Sequence, residues 1–344
     1  MRKDVTLCKM GVPIVSLFCG AGGLDCGFRS AGFQPIFACD NWGDAVRTYN
    51  YNAKRNIAIQ LDLLTATAAE VGDLVAQRCG STTPVGVIGG PPCQGFSRGN
   101  VHALAADPRN QLPFRYAQIV KEFKRRFGIR FFVFENVLGL LSAKHMARFG
   151  DIKDAFMEAG FKVFQSDLNA VAFGVPQRRR RLFIVGLNDT LEADTEFAFP
   201  EGTAPAVTLR QAIGQLPAPA YFARGLPTRD IPHHANHWTM VPRSPKFTAA
   251  AASEGRSFRR LKWDEPSPTV AYGHREIHVH PDGSRRLSIY EAMLLQGFPP
   301  KYRLLGCFSS QVTQVSNAVP PPLARVLAKK LHDLVVSKPS GGLT

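Results

Sequence analysis

Gly89-Gly90-Pro91-Pro92-Cys93-Gln94-Gly95-Phe96-Ser97 sets one cysteine against paired prolines and flanking glycines. Val85-Gly86-Val87-Ile88 before it is a short apolar run that suits a buried strand. The prolines stop that strand, and the glycines permit turns that other residues resist. The Cys93 sulfur is thereby presented at a strand's carboxyl end, where open α/β sheets hold their ligands. A thiol is intrinsically very nucleophilic even when little of it is ionised. A packing cysteine is the plainer alternative, yet packing requires no such scaffold. A second reactive group follows the apolar run Phe131 to Phe134, which leads into Glu135-Asn136-Val137. A carboxylate at that strand end can be partly desolvated, which raises its affinity for a proton; a solvated loop acid is the alternative. The third feature is Gln177-Arg178-Arg179-Arg180-Arg181, running into Leu182-Phe183-Ile184-Val185. Alternate strand residues share a face, so Arg179 and Arg181 point together and Arg178 and Arg180 point oppositely. One pair can face a cleft while the other meets phosphates or solvent.

The elements that must position these groups alternate along the first half of the chain. Pro13 to Phe18 is a strand candidate ended by Gly20-Ala21-Gly22-Gly23, with a helix through Leu24, Phe28 and Ala31. Pro35 to Cys39 reads as the next strand and Asp44 to Asn52 as its helix. Ile57-Ala58-Ile59, an Ala-rich helix, Val85 to Ile88, a helix from about Leu112 to Phe127, and Phe131 to Phe134 continue the series. Strands alternating with helices imply an α/β fold with a mostly parallel sheet covered on both faces.

The glycine turn departs from the dinucleotide fingerprint Gly-x-Gly-x-x-Gly, which seats a pyrophosphate on a helix N-terminus. Gly20 and Gly22 fit it, but the third position is Asp25. An adenosine ligand without phosphates suits such a turn. Asp40 ends the second strand, where a carboxylate can accept from ribose hydroxyls. Asp62, after the third strand, could accept from an adenine amino group. Each acid alone also reads as a turn or cap residue, but three aligned strand ends favour a ligand. S-adenosylmethionine matches this arrangement better than NAD.

A formal net charge of +15 over 344 residues points to a polyanionic partner, with nucleic acid the first candidate. Seven cysteines without a Cys-x-x-Cys pair make a disulfide framework or zinc knuckle unexpected. No signal peptide is recognised at the start and no apolar run reaches membrane-spanning length, so a reducing cytoplasmic setting without membrane association is expected. Between Leu187 and Arg285 prolines, histidines and basic residues increase and periodicity fades. Arg224, Arg229, Arg243, Lys246, Arg256, Arg259 and Arg260 are interleaved there with Tyr221, Trp238, Phe247 and Trp263, a mixture suited to phosphate and base contacts. His233, His234, His237, His278 and His280 lack the acid or cysteine that would complete a zinc set, so no metal site is expected.

Six segments, in order, resemble the motifs of the DNA cytosine-5 methyltransferases. They are Ser16 to Gly23, Pro92-Cys93-Gln94, Glu135-Asn136-Val137, Gln177-x-Arg179-x-Arg181, Arg286-Leu287-Ser288 through Leu295-Gln296-Gly297-Phe298-Pro299, and Gln314-Val315-Ser316-Asn317-Ala318-Val319-Pro320. The likeness spans nearly the whole chain. Ser316 stands where the family usually has glycine, which would restrict the turn that positions Asn317; Ser288 and Tyr290 replace the commoner threonine and arginine.

The resemblance implies a Rossmann-like methyltransferase domain over residues 11–187, a smaller irregular target recognition domain over 188–285, and a hinge and C-terminal segment over 286–344 that returns to the first domain. It implies transfer of a methyl group from S-adenosylmethionine to carbon 5 of a cytosine in a specific double-stranded DNA sequence, by base flipping and a covalent Cys93 adduct. Cys93, Glu135, Arg179 and Arg181 would be catalytic. Phe18, Gly20, Ala21, Gly22, Gly23, Asp40, Asn41, Asp62, Leu63, Pro92, Leu112 and Asn317 would bind the cofactor. Gln94, Ser97, Arg98, Arg178, Arg256, Arg259 and Arg260 would contact DNA, with the segment from Arg98 to about Asn110 closing over the flipped base. A monomer is expected, served by a restriction endonuclease that acts separately. Two other readings are a transfer RNA methyltransferase and a catalytically silent DNA-binding regulator. Cys307-Phe308-Ser309 resembles the Cys-Phe-Thr signature of the former but lies after the Gln296-Gly297-Phe298-Pro299 motif.

Overall fold

The computed structural model describes residues 11–92, 107–190, 195–243, 259–269 and 278–336. Its first half alternates as the pattern requires: β1 (Val12–Leu17), α1 (Gly23–Ser30), β2 (Phe33–Asp40), α2 (Gly43–Ala53), β3 (Ala58–Gln60), α3 (Ala68–Cys79), β4 (Gly86–Gly89), α4 (Leu112–Phe127) and β5 (Phe131–Asn136). After them come α5 (Met146–Glu158), β6 (Phe161–Asn169), β7 (Gln177–Arg178) and β8 (Arg180–Asn188). Seven strands form one sheet in the order β3-β2-β1-β4-β5-β8-β6. The β3 to β5 block is parallel, and β8 runs antiparallel to both β5 and β6.

The chain leaves β1 toward β2 and β3 on one side and returns to β4 and β5 on the other. The carboxyl ends of β1 and β4 therefore flank the point where the strand order reverses, the usual ligand crevice of an open α/β sheet. The Phe131–Phe134 run of β5 is apolar without interruption because both its faces are covered. Phe132 and Phe134 pack with α4 and α5 around Tyr116, Phe123, Ile152 and Phe156. Phe131 and Val133 face the other layer, where Leu24 and Phe28 of α1 meet Leu323, Leu327 and Leu331 of α9 (Pro321–Val336). The helix at the chain's far end thus closes the layer begun by the first helix.

Regular structure thins after β8, as the loss of periodicity predicts. The described part holds α6 (Leu209–Ile213) and two-residue strands β9 (Ala220–Tyr221), β10 (Trp238–Thr239), β11 (Arg259–Arg260), β12 (Ser267–Pro268) and β13 (His278–Val279). Leu209, Ile213 and Leu261 share one core with α7 (Ile289–Leu295) and α8 (Phe308–Asn317). Several histidines serve that packing. His237 is buried between Ser288 Oγ and the Pro217 carbonyl, at 3.0 and 2.8 Å, and His234 stacks on Tyr290 at 4.1 Å. No group of three His, Cys, Asp or Glu side chains that could hold a metal occurs among the described residues. No described helix is long and apolar enough to cross a membrane.

Candidate active site

A cleft of about 720 Å³ opens at the reversal point, within the range of small-molecule sites. Phe18, Gly20, Ala21, Gly23, Asp40, Asn41, Asp62, Leu63, Pro92, Leu112 and Asn317 line it, together with Glu135, Arg179 and Arg181. Every described catalytic candidate and all but one of the described cofactor candidates therefore meet in one space. The exception is Gly22, which faces a smaller cavity behind the loop with Tyr49 and Tyr302. Cys93, Gln94, Ser97, Arg98 and Arg256 lie outside the described residues, as does the proposed closing loop up to residue 106. The described chain reaches the cleft wall at Pro92.

One wall is made of backbone. Phe18 takes a left-handed φ of 53°, as do Gly20 and Gly22 at 51° and 84°. A non-glycine residue in that region is held there by its surroundings. Asp40 supplies much of the hold: its carboxylate accepts from Gly20 N at 2.8 Å and Trp42 N at 2.9 Å. Each oxygen keeps further accepting capacity for a ligand hydroxyl. Burial raises the Asp40 carboxyl above its ordinary value, against the pull of the Trp42, Gly20 and Asn41 amides. Asp62 lines the cleft and also accepts from Leu64 N at 2.9 Å in a turn. Trp42 also lines the cleft, an aromatic wall that reading strand ends alone overlooks.

Asp25, at the missing third glycine, is buried and accepts from Ser16 Oγ at 2.9 Å and Tyr49 OH at 2.8 Å. It contributes a carboxylate to the region where a pyrophosphate would sit. The loop therefore fits an uncharged adenosine moiety better than a dinucleotide.

The opposite wall is built from charge. Glu135 lies in β5 beyond its apolar run, 8 % exposed, with Arg181 Nε 3.2 Å from its Oε1. A Cβ at Gly90 would lie 2.8 Å from Glu135 Oε2, so glycine there admits the carboxylate to the strand end. Burial raises the Glu135 carboxyl above its usual value, while Arg181 and then Arg179 pull it down. Beside it Asn136 closes a local turn, accepting from Val137 N at 2.7 Å and donating to the Pro91 carbonyl at 3.4 Å.

The arginine run alternates as expected, with one interruption. Arg179 falls in a break between β7 and β8, where its N–H donates to Gln177 O at 3.0 Å and its carbonyl accepts from Ala170 N at 2.8 Å. Its side chain is 1 % exposed, and Nη2 donates to the Ser316 carbonyl at 3.0 Å. Nε and Nη1 are buried with no partner among the described residues. Burial pushes this guanidinium's pKa well down, and the like charge of Arg181 adds to the effect. Arg178 and Arg180 are exposed; Arg178 lies 3.6 Å from Glu265, and its strand pairs with β12 of the irregular region. Arg259 and Arg260 are exposed on β11, with Arg260 Nε donating to the Pro281 carbonyl at 2.7 Å.

Segments far apart in sequence complete the site. Gln177 Nε2 donates to Gln296 Oε1 at 2.8 Å, and Gln296 Nε2 donates to the Ala318 carbonyl at 2.6 Å. The expected restriction at Ser316 does not arise. Ser316 is helical within α8, its hydroxyl donates to the Thr313 carbonyl, and its own carbonyl receives Arg179. Ser288 substitutes for threonine as a cap, accepting from Glu291 N while Glu291 accepts from Ser288 N. Tyr290 is the platform for His234.

With this geometry in view, the family model for C-5 cytosine-specific DNA methylases matches residues 12–333. The chain belongs to that family. The Type II methyltransferase M.MthTI of Methanothermobacter thermautotrophicus is 35 % identical over 346 residues, covering 94 % of this chain and 97 % of the relative. M.FnuDI of Fusobacterium nucleatum is 31 % identical, covering 95 % and 96 %. A crystal structure of a prophage-encoded E. coli protein, described as a DNA modification methyltransferase, superposes with a TM-score of 0.76 at 24 % identity, over 94 % and 99 % of the two chains. This methyltransferase is a DNA cytosine-5 methylating enzyme with a Rossmann-like sheet.

Proposed function

We propose that the enzyme methylates carbon 5 of a cytosine flipped out of a specific double-stranded DNA sequence, with S-adenosylmethionine as donor and Cys93 as covalent catalyst. The observation that carries this reading is the Arg179 guanidinium, buried at the cleft with Nε and Nη1 unpartnered among the described residues. A buried cation left short of acceptors is costly unless a ligand supplies them. A carbonyl oxygen gathering negative charge, as on an attacked pyrimidine ring, meets that need.

The adenosine end would lie against the backbone wall, with ribose hydroxyls donating to Asp40 and the adenine amine to Asp62. Phe18 and Trp42 offer rings beside it, and Asn41, Leu63, Leu112 and Asn317 line the same space. Bound there, S-adenosylmethionine supplies an electrophilic methyl group. Cys93, next in the chain after Pro92, would attack cytosine carbon 6 through its thiolate, forming an S–C bond and moving the ring's electron pair toward carbon 5. Glu135 would hold the exocyclic amine and share a proton with ring nitrogen 3 as charge develops. Arg179 would stabilise the ring oxygen, and Arg181 would orient Glu135. Carbon 5 would then take the donor's methyl group, breaking the donor's S–CH3 bond and leaving S-adenosylhomocysteine, and loss of the carbon-5 proton to water with breaking of the Cys93 S–C bond would return the thiolate. Stacked bases hide these atoms, which is why flipping is required.

Residues 188–285 would form the recognition domain between 11–187 and 286–344, with Arg178, Arg259 and Arg260 among its DNA contacts. Relatives bearing Type II names suggest a restriction endonuclease as the partner activity. The test is bisulfite sequencing of duplex DNA incubated with the purified enzyme and S-adenosylmethionine, beside a matched RNA. Conversion-resistant cytosines at one recurring DNA sequence are expected. Modification of the RNA alone, or sequence-specific DNA binding without methyl transfer, would overturn the reading.

A further inference from the structure

Behind the cofactor loop, Tyr302 donates its hydroxyl to the carbonyl of Ala21, from 281 positions away in sequence. The contact is close-packed as well as polar: a Cβ on Gly22 would come within 2.8 Å of the Tyr302 oxygen. Tyr302 itself does not line the cleft; it stands in the small rear cavity with Tyr49 and Asn52.

The segment that carries it is fixed on both sides. Asn52 of α2 forms a reciprocal pair with the backbone of Arg303, accepting its N–H at 3.0 Å and donating to its carbonyl at 2.7 Å. Asn236 does the same for the next residue, Leu304, at 2.9 Å in each direction. Leu305 N then donates to Thr48 Oγ1 at 2.8 Å. Residues 303–305 are thus a strap bound to the helix after β2 on one edge and to the irregular region on the other. A side-chain amide bonded to both groups of one peptide residue imitates strand pairing and leaves the strap little freedom.

We propose that Tyr302 is a positioning residue for methyl-donor binding. It acts through the Ala21 carbonyl on the Phe18–Gly23 loop, with the 303–305 strap as its anchor. Phe18, the non-glycine among the loop's three left-handed residues, keeps that conformation only where the surroundings over-determine it. Asp40 fixes one end of the loop by its bonds to Gly20 and Trp42, and Tyr302 fixes the peptide between Ala21 and Gly22 from the rear. The proposal rests on the reading that this loop binds S-adenosylmethionine.

Calorimetric titration of S-adenosylmethionine into wild-type, Tyr302→Phe, Asn52→Ala and Asp40→Ala enzymes tests it. Tyr302→Phe keeps the ring and should weaken donor binding roughly 3- to 10-fold, the loss of one hydrogen bond. In kinetics the loss should fall on KM for S-adenosylmethionine, with kcat recovered at saturating donor and DNA affinity unmoved. Asn52→Ala should shift the same quantity in the same direction by loosening the strap. A lowered melting temperature with unchanged donor affinity in both variants would show a merely structural bond and overturn the proposal. Weakening in Asp40→Ala alone would overturn it while leaving the loop as the donor site. Unchanged affinity in all three would remove the donor site itself, and the proposal with it.

Discussion

The two walls of the cleft are made by opposite means. The loop wall is held by neutral backbone amides meeting fixed acceptors, and Asp40 alone takes two of them. The far wall gathers Glu135, Arg179 and Arg181 where burial works against every charge. Backbone bonds set a shape and tolerate gradual loss. Buried charges store a demand that only a reacting ligand meets, so removing one should strike the rate more than the affinity.

The largest effects should come from the charged wall. Glu135→Gln and Arg179→Ala should each lower kcat by roughly 10²- to 10⁴-fold while donor affinity holds, measured by radiolabelled methyl transfer and calorimetry. Loss confined to KM for the donor would erase the distinction between the walls.

A sharper test of the same wall is its pH response. Burial already raises the Glu135 carboxyl, and Arg181 opposes the rise. Removing that cation in Arg181→Gln leaves burial less opposed, so the carboxyl should hold its proton to higher pH. If protonated Glu135 serves ring nitrogen 3, the alkaline limb of residual activity should move upward. An unmoved limb would show that Arg181 does not govern this group.

On the backbone wall the effects should be smaller and graded. Asp40→Ala removes an acceptor from two amides, together with the proposed ribose contact, and should weaken S-adenosylmethionine by about 1.5–3 kcal/mol. Asp62→Ala loses one turn bond and the proposed adenine contact, and should cost about 1 kcal/mol. Calorimetry separates them; equal losses would show that Asp40 does not organise the loop.

Period and strand ends were enough to locate most of this site. The apolar run of β5 and the alternation of arginines placed Glu135 and Arg181 on facing groups because strand geometry is local and regular. What escaped was non-local or irregular. Arg179 shares the cleft with Arg181 as alternation requires, and only the break between β7 and β8 in which it sits goes unannounced. Gly22 fits a phosphate fingerprint, yet it lines the rear cavity, where a Cβ would meet Tyr302 and Tyr49. Tyr302 has no motif of its own; only the folded strap brings it to Ala21. Ser316 departs from the family's glycine, but in the folded chain it is an ordinary helical residue whose carbonyl accepts from Arg179.

The proposed function stands or falls on Cys93 as the covalent catalyst. Its most direct test is a duplex carrying 5-fluorocytosine at the methylated position, incubated with S-adenosylmethionine and followed by denaturing electrophoresis and peptide mass spectrometry. Fluorine blocks the final elimination, so the wild-type enzyme should remain bound through Cys93, with one methyl added to the trapped base. Cys93→Ala should bind the duplex through its phosphate contacts yet yield no adduct. Wild-type methylation by Cys93→Ala, or an adduct mapped to another cysteine, would contradict the account.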